Sequence, residues 1–253
     1  TTVSGGTLLV NDSLGGTVDV QTGGALGGSG TVFGPVSVAG RLVGQSGQVL
    51  RMNSLALGAA ANVDVALGTP SPAALFRVTG NLTLDGTLNV TDAGGFGLGV
   101  YGIFNYGGAL TDNGLAIGAL PAGMTGTVQT AVANQVNLVV NGIGPGAAQF
   151  WNGTATTADG VIHGGAGVWS AGAATNWTDA AGTQANAWGG NFAIFQNNPA
   201  AVTVDGSAGA VATTGMQFIG QGWTVSGAPV TLNGAGGNTI IRVGDGTAGG
   251  ASH

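Results

Sequence analysis

The sequence predicts an all-β fold, a right-handed parallel β-helix (β-solenoid) made of stacked coils. Three observations lead there. Gly supplies 53 of the 253 residues, about three times the usual share of roughly 7%. Lys and Glu, the common occupants of exposed helix positions, are absent, and Val, Leu, Thr, Asn and Asp take their place. Short apolar triplets with a small or polar central residue recur at similar spacing. A mean hydropathy of +0.37 and a formal net charge of −6 oppose disorder, which goes with low hydropathy and high net charge.

The elements follow in chain order. In "GGTLLVNDSLGGTVDVQTGGALGGSGTV", residues 5–32, the apolar stretches Leu8-Leu9-Val10 and Val18-Asp19-Val20 alternate with Gly-Gly, Asn-Asp and Ser-Gly turns. One track of triplets runs through Val18-Asp19-Val20, Val36-Ser37-Val38, Leu55-Ala56-Leu57 and Leu82-Thr83-Leu84, with starts 18, 19 and 27 residues apart. A second runs through Thr31-Val32, Val49-Leu50 and Phe76-Arg77-Val78, with steps of 18 and 27. Both lengthen together, so one insertion around Gly68-Thr69-Pro70-Ser71-Pro72 accounts for both. Tracks that slip together belong to the same rungs. A single coil cannot bury its inner face, so coils must stack. With about 20 residues per coil and rungs about 4.8 Å apart, the chain makes roughly a dozen coils and a rod on the order of 60 Å long. Gly pairs suit the corners, and right-handed coiling is the default for parallel crossovers. An antiparallel β-sandwich is the alternative, since turn-bounded short strands suit it too. The shared insertion favours the solenoid.

Composition changes near "VNGIGPGAAQFWNGT". All five Trp lie beyond it: Trp151, Trp169, Trp177, Trp188 and Trp223. The Gly/Pro character of residues 142–148 marks a boundary. Residues 1–144 are read as a Gly-rich solenoid segment. Residues 145–253 are read as a Trp-containing segment continuing the same rod, with triplets returning from Ala201.

Reactive chemistry is sparse. Four Arg and no Lys leave no basic stripe for nucleic acid or an anionic membrane. No run of about 20 apolar residues could span a membrane as a helix, and no Cys is present for disulfide or thiol chemistry. A hydrolytic triad would need a base, and the choices are His163, four residues from Asp159, and His253. Ser170 or Ser46 could complete it on paper, but "GQSG" lacks an acidic residue before the Ser. His163 reads as a turn residue. A glycosidase or lyase needs paired carboxylates or a basic residue with a metal. The sequence has no Asp-x-Asp, and its Arg residues are scattered. Asp19 and Asp64 alternate with inward apolar neighbours and point outward. Asp12, Asp92, Asp112, Asp159, Asp179 and Asp245 read as turn caps. "GDGTAGG" at 244–250 occurs once and reads as a turn rather than a calcium loop. The sequon residues Asn81, Asn89, Asn152 and Asn176 read as stack and turn residues. No catalytic residue, metal or cofactor is expected. Trp169, Trp177 and Trp188 are either core or a ligand-binding set. Trp rings stack on sugars, but they also fill cores.

The run "GGTLLVNDSLGGTVDVQTGGALGGSGTVFGPVSVAGRLVGQSGQVLRMNSLALGAAANVDVAL" resembles the Gly-rich repeats of bacterial autotransporter passenger domains. "FRVTGNLTLDGTLNV" and "YGIFNYGGAL" are similar to the portion that often follows them. "FWNGTATTADGVIHGGAGVWSAGAATNWTD", "AVTVDGSAGAVATTGMQF" and "IIRVGDGTAGG" are similar to the Trp-containing block of large autotransporters with associated β-strand repeats. The resemblance implies a right-handed β-helix carried to the cell surface by a C-terminal β-barrel, remaining anchored at the outer membrane or being secreted. No barrel-like strand series stands in this sequence. Thr1 opens in mid-pattern, so a passenger fragment is expected. The implied role is adhesion to host cells, matrix or other bacteria. Its partners would be a host-surface or extracellular-matrix protein or glycan, with self-association through an exposed end strand. A structural stalk and a carbohydrate-active β-helix enzyme are the alternatives.

Overall fold

A computed structural model describes residues 1–142, 148–234 and 237–244. Among them the chain is all-β, with no α-helix. It divides into two compact units, Thr1–Val128 with Ala133–Val140, and Gln129–Val132 with Asn141–His253.

In the first unit, two sheets carry successive rungs. One runs through Thr2–Val3, Val18–Val20, Thr31–Val38, Leu50–Leu57, Phe76–Val78 and Gly99–Tyr106. Val18 pairs with Val36, Val36 with Leu55, Leu55 with Leu82 and Leu82 with Leu110, always in parallel. These include the four triplets that the spacing picks out. The other sheet runs through Gly6–Leu9, Gly24–Gly27, Arg41–Gln45, Asn62–Leu67, Thr87–Asp92 and Ala116–Ile117. Leu8, Leu26, Leu42, Val63, Leu88 and Ile117 stand in one register column. The middle four of these are fully buried. Alternation puts one residue in two inside, and burial at about 25 cal/mol per Å² of apolar surface drives the stacking.

The second track has a different register from the one its spacing suggests. Thr31 and Val32 pair with Arg51 and Met52 rather than with Val49 and Leu50, and Leu50 pairs with Phe76. One residue of the shift at Thr31 is the bulge between Val32 and Pro35, where Phe33 and Gly34 stand against Asn53. Gly34 there lies so close to the Gly16 carbonyl that a Cβ would overlap it, and Pro35 has no N–H to give to a ladder. The unit ends on an antiparallel pairing of Gly99–Tyr106 with Gln135–Gly142.

In the second unit, Gln149–Trp151, Phe192–Phe195, Gly215–Phe218 and Ile240–Val243 form a parallel run. Gln149–Trp151 also pairs antiparallel with Trp177–Thr178, which pairs antiparallel with Ala185–Asn186. A second parallel set joins Gly167–Ser170, Ala201–Asp205 and Thr224–Gly227. Val211–Thr213 pairs with Val230–Leu232. The core here is aromatic: Trp151, Trp169, Trp177 and Phe195 are all fully buried.

Candidate functional site

The three Trp singled out as ligand contacts lie together, but inside. Trp169 and Trp177 are fully buried and Trp188 is 8% exposed. Trp169 meets Trp188 edge-on at 5.1 Å between ring centroids, and Trp151 meets Trp177 edge-on at 5.2 Å. Trp177 and Trp188 lie 4.2 Å apart. Edge-to-face pairs of this kind add about 0.5–1.5 kcal/mol each beyond the area they bury. Trp188 Nε1 donates to the Ala212 carbonyl at 2.8 Å, and Trp151 Nε1 to that of Gly165 at 2.8 Å. Buried Asn176 holds the coil around them, donating to the Gly153 and Val168 carbonyls at 3.1 and 2.9 Å. Sugar stacking needs an open ring face. These rings spend theirs on one another, so the set is core.

The histidine–carboxylate pair exists at the surface. His163 Nε2 lies 2.9 Å from Asp159 Oδ2, and both side chains are close to half exposed. The Asp159 carboxyl is held below its ordinary value, first by the His163 hydrogen bond and then by the Val161 N–H. Ser46 is used elsewhere, accepting from the Gly68 N–H at 3.0 Å. Among the described residues, no serine hydrogen-bonds to His163. The pair ties a turn. Because the folded carboxyl is depressed, its contribution is present above the ordinary value of 3.8 and is lost as pH falls through the depressed one. His163→Ala is expected to raise the Asp159 titration midpoint toward its ordinary value, followed by NMR of the carboxyl carbon. An unmoved midpoint would show that the backbone bond alone sets it.

The other turn carboxylates also serve the backbone. Asp179 Oδ1 accepts from the N–H groups of Thr183 and Gln184 at 2.7 and 3.1 Å. Asp205 accepts from both the N–H and hydroxyl of Ser207, and the N–H bond is the main cause of its lowered pKa. Among the described residues, no group of three His, Cys, Asp or Glu could hold a metal. Asp245, His253 and all of "GDGTAGG" except Gly244 lie outside the described residues.

Two outward surfaces of the first unit have shape and polarity. One is a groove of about 580 Å³ lined by Leu9, Asn11, Arg41, Gln45, Asp64 and Asn89 among others. Arg41 Nε donates to Asp64 Oδ2 at 2.5 Å, and Asn89 Nδ2 donates to Asp64 Oδ1 at 2.8 Å. Asn89 also caps the Ala119 N–H at 3.0 Å, so its sequon position is occupied by ladder contacts. The Arg41 side chain is 59% exposed, which makes the ion pair itself weak. Asp64→Ala is therefore expected to destabilise by only about 1 kcal/mol in urea unfolding, mostly through the lost Asn89 hydrogen bond, since Asn89 keeps Asn62 as an acceptor.

The other surface lies outside the residues singled out from the sequence. Ser13, Thr31, Arg51, Arg77, Asn105 and Gln135 form one column through successive register pairs. Arg51 and Arg77 are both exposed and sit directly opposite each other. The signal that could have found them is their separation of 26 residues, within one residue of the 27-residue step read from the triplets.

No protein-family model matches the chain, and no solved structure matches it significantly. Over 239 residues it is 44% identical to the adhesin BmaC autotransporter of Brucella suis biovar 1 (strain 1330). That match takes in 92% of this chain and 7% of the relative, so the chain spans about 7% of the length of the curated relative it matches. With such identity carried across nearly all of its residues, the chain is similar to one stretch of an autotransporter adhesin, which supports a passenger fragment of that kind.

Proposed function

We propose that this chain is an adhesive contact segment on a right-handed parallel β-helix, meeting host cells, matrix or other bacteria through its outward faces. The observation that carries the reading is the likeness to an autotransporter adhesin. The same likeness supports the location, at the cell surface, outer-membrane-anchored or secreted. The β-helix is supported by the parallel registers linking Val18, Val36, Leu55 and Leu82. A sandwich of successive hairpins would make such neighbours antiparallel. Right-handedness follows the rule for parallel crossovers. A non-enzymatic role is supported by where the polar groups go: His163 and the turn Asp residues are engaged in local hydrogen bonds.

Adhesion by such a surface works through many weak contacts multiplied by copies on a cell. The test is binding of the purified chain to a panel of matrix proteins, glycans and bacterial surfaces. Saturable binding to a panel member is expected. A folded chain that binds nothing would sink this reading and favour a structural stalk. The outward row Ser37, Ala56 and Thr83, paired in register and short in every side chain, suits the stalk.

A further inference from the structure

We propose that the column through Arg51 and Arg77 binds an acidic polysaccharide, one bearing carboxylate or sulfate groups along its length. The proposal deepens the contact reading and rests on it for its biological role.

The chain has four basic residues, all Arg. Arg41 is held by Asp64. Arg51 and Arg77 have no carboxylate partner among the described residues, yet they are register partners on adjacent parallel rungs. Adjacent rungs are only about 4.8 Å apart, and like charges directly opposite on neighbouring strands are destabilising. In a chain of net charge −6, two exposed guanidinium groups set side by side concentrate positive charge that an anion would relieve. The column itself holds no acid: above Arg51 stand Thr31 and Ser13, and below Arg77 stand Asn105 and Gln135.

The surroundings narrow the class. Beside Arg77 is a concavity of about 390 Å³ lined by Thr79, Asn105, Tyr106, Asn134 and Gln135. Asn134 is held there with a positive φ of 63°. Amides, a threonine hydroxyl and the edge of a half-buried tyrosine are groups that read sugar hydroxyls and cover a sugar face. Each guanidinium offers a planar fork that fits a carboxylate or sulfate with two hydrogen bonds. A single small anion on exposed side chains would be held weakly, whereas a polymer with repeating charge engages both forks at once. Phe33, two residues along from Thr31 and 65% exposed, adds an aromatic face beside the column, which a sugar ring can cover. Nucleic acid would want a continuous basic stripe, and Ser13, Thr31, Asn105 and Gln135 carry no charge.

The experiment uses the whole 253-residue chain and fluorescent probes of matched length. They are a heparin oligosaccharide, an oligogalacturonate, a neutral dextran and a single-stranded DNA. Saturable, salt-weakened binding of the acidic glycans is expected. Binding of both means that a carboxylate suffices, and binding of heparin alone means that sulfate is needed. The double variant Arg51→Gln with Arg77→Gln should weaken binding by about tenfold or more, while Arg41→Gln should leave it unchanged. Because the altered side chains are exposed, circular dichroism should show an unaltered fold. As a second measurement, the acidic glycan should raise the Tm of the parent chain and not that of the double variant. Equal affinity in the double variant, equal binding of dextran, tighter binding of DNA, or no glycan binding would each overturn the proposal. Adhesion to the panel above without acidic-glycan binding would overturn this proposal alone. Acidic-glycan binding without adhesion to cells, matrix or bacteria would leave the site standing and overturn the adhesive role.

Discussion

Trp177→Ala is expected to lower the unfolding free energy of the Trp-containing unit by about 3–5 kcal/mol, the range for emptying a buried aromatic site. The ring is fully buried and packs against Trp151, Trp169, Trp188 and Phe195 at centroid distances of 5.2, 5.4, 4.2 and 5.6 Å. Deleting it removes a partner from four other rings at once, and no neighbouring helix can slide in to close the gap. Denaturant unfolding followed by circular dichroism measures the loss. Trp223→Ala is the comparison. That ring is half-buried, meets Phe195 at 5.6 Å and donates to the Ile219 carbonyl. It should cost clearly less, about 1–2 kcal/mol. A loss below about 1 kcal/mol for Trp177 would mean that the cluster is open in solution and would return it to the list of ligand contacts. The same physics makes a multiple Trp substitution a poor probe of binding, because it removes the core along with any surface.

Gly28→Ala should be the most damaging single methyl in the first unit. Gly28 has a φ of +115°, and a Cβ there would overlap the backbone of Val10 on the preceding coil. The two coils are tied at this point by the Val10 N–H to the Gly27 carbonyl at 2.9 Å and the Gly30 N–H to the Val10 carbonyl at 2.8 Å. A side chain must either strain the backbone or push the rungs apart and break those bonds. The expected loss is about 3 kcal/mol or more, combining unfavourable φ with lost ladder bonds. Gly16→Ala separates the two effects. Its φ is +77°, but the space beside it is open, so the loss should stay near 1 kcal/mol. Equal Tm shifts for the two variants would show that conformation alone matters and that close approach between coils does not.

Much of the first unit could be read from residue spacing. Val18, Val36, Leu55 and Leu82 are register partners in the order their intervals suggest. Each is an inward residue in a strand with period-two alternation, the pattern that stacking makes periodic. The second track departs at both of its steps, by two residues at Thr31 and by one at Phe76. The bulge places Phe33 and Gly34 against Asn53, which accounts for one residue of the first shift and moves Thr31 from Leu50 to Arg51. A slip by one residue exchanges the faces of a strand. Taking Val49 as the partner of Phe76 sets Leu50 against Arg77 and hides the pairing of the two arginines. The Trp set was harder. Gly167 pairs with Val202, 35 residues on, and a coil that long leaves the direction of its aromatic rings to tertiary packing. Which Trp would be buried is decided by the antiparallel turn that brings Trp177 against Trp151, and no interval announces it.

Where the four arginines sit has a consequence for survival outside a cell. With no lysine, an enzyme that cuts only after basic residues meets four bonds in the chain, following Arg41, Arg51, Arg77 and Arg242. All four residues lie within strands, Arg41–Gln45, Leu50–Leu57, Phe76–Val78 and Ile240–Val243. An extended chain already hydrogen-bonded to the coils beside it cannot enter a protease cleft until that rung opens. Digestion by a trypsin-like enzyme then reports the free energy of local opening rather than the accessibility of loops. The turns, where most proteins are first nicked, offer such an enzyme nothing to cut.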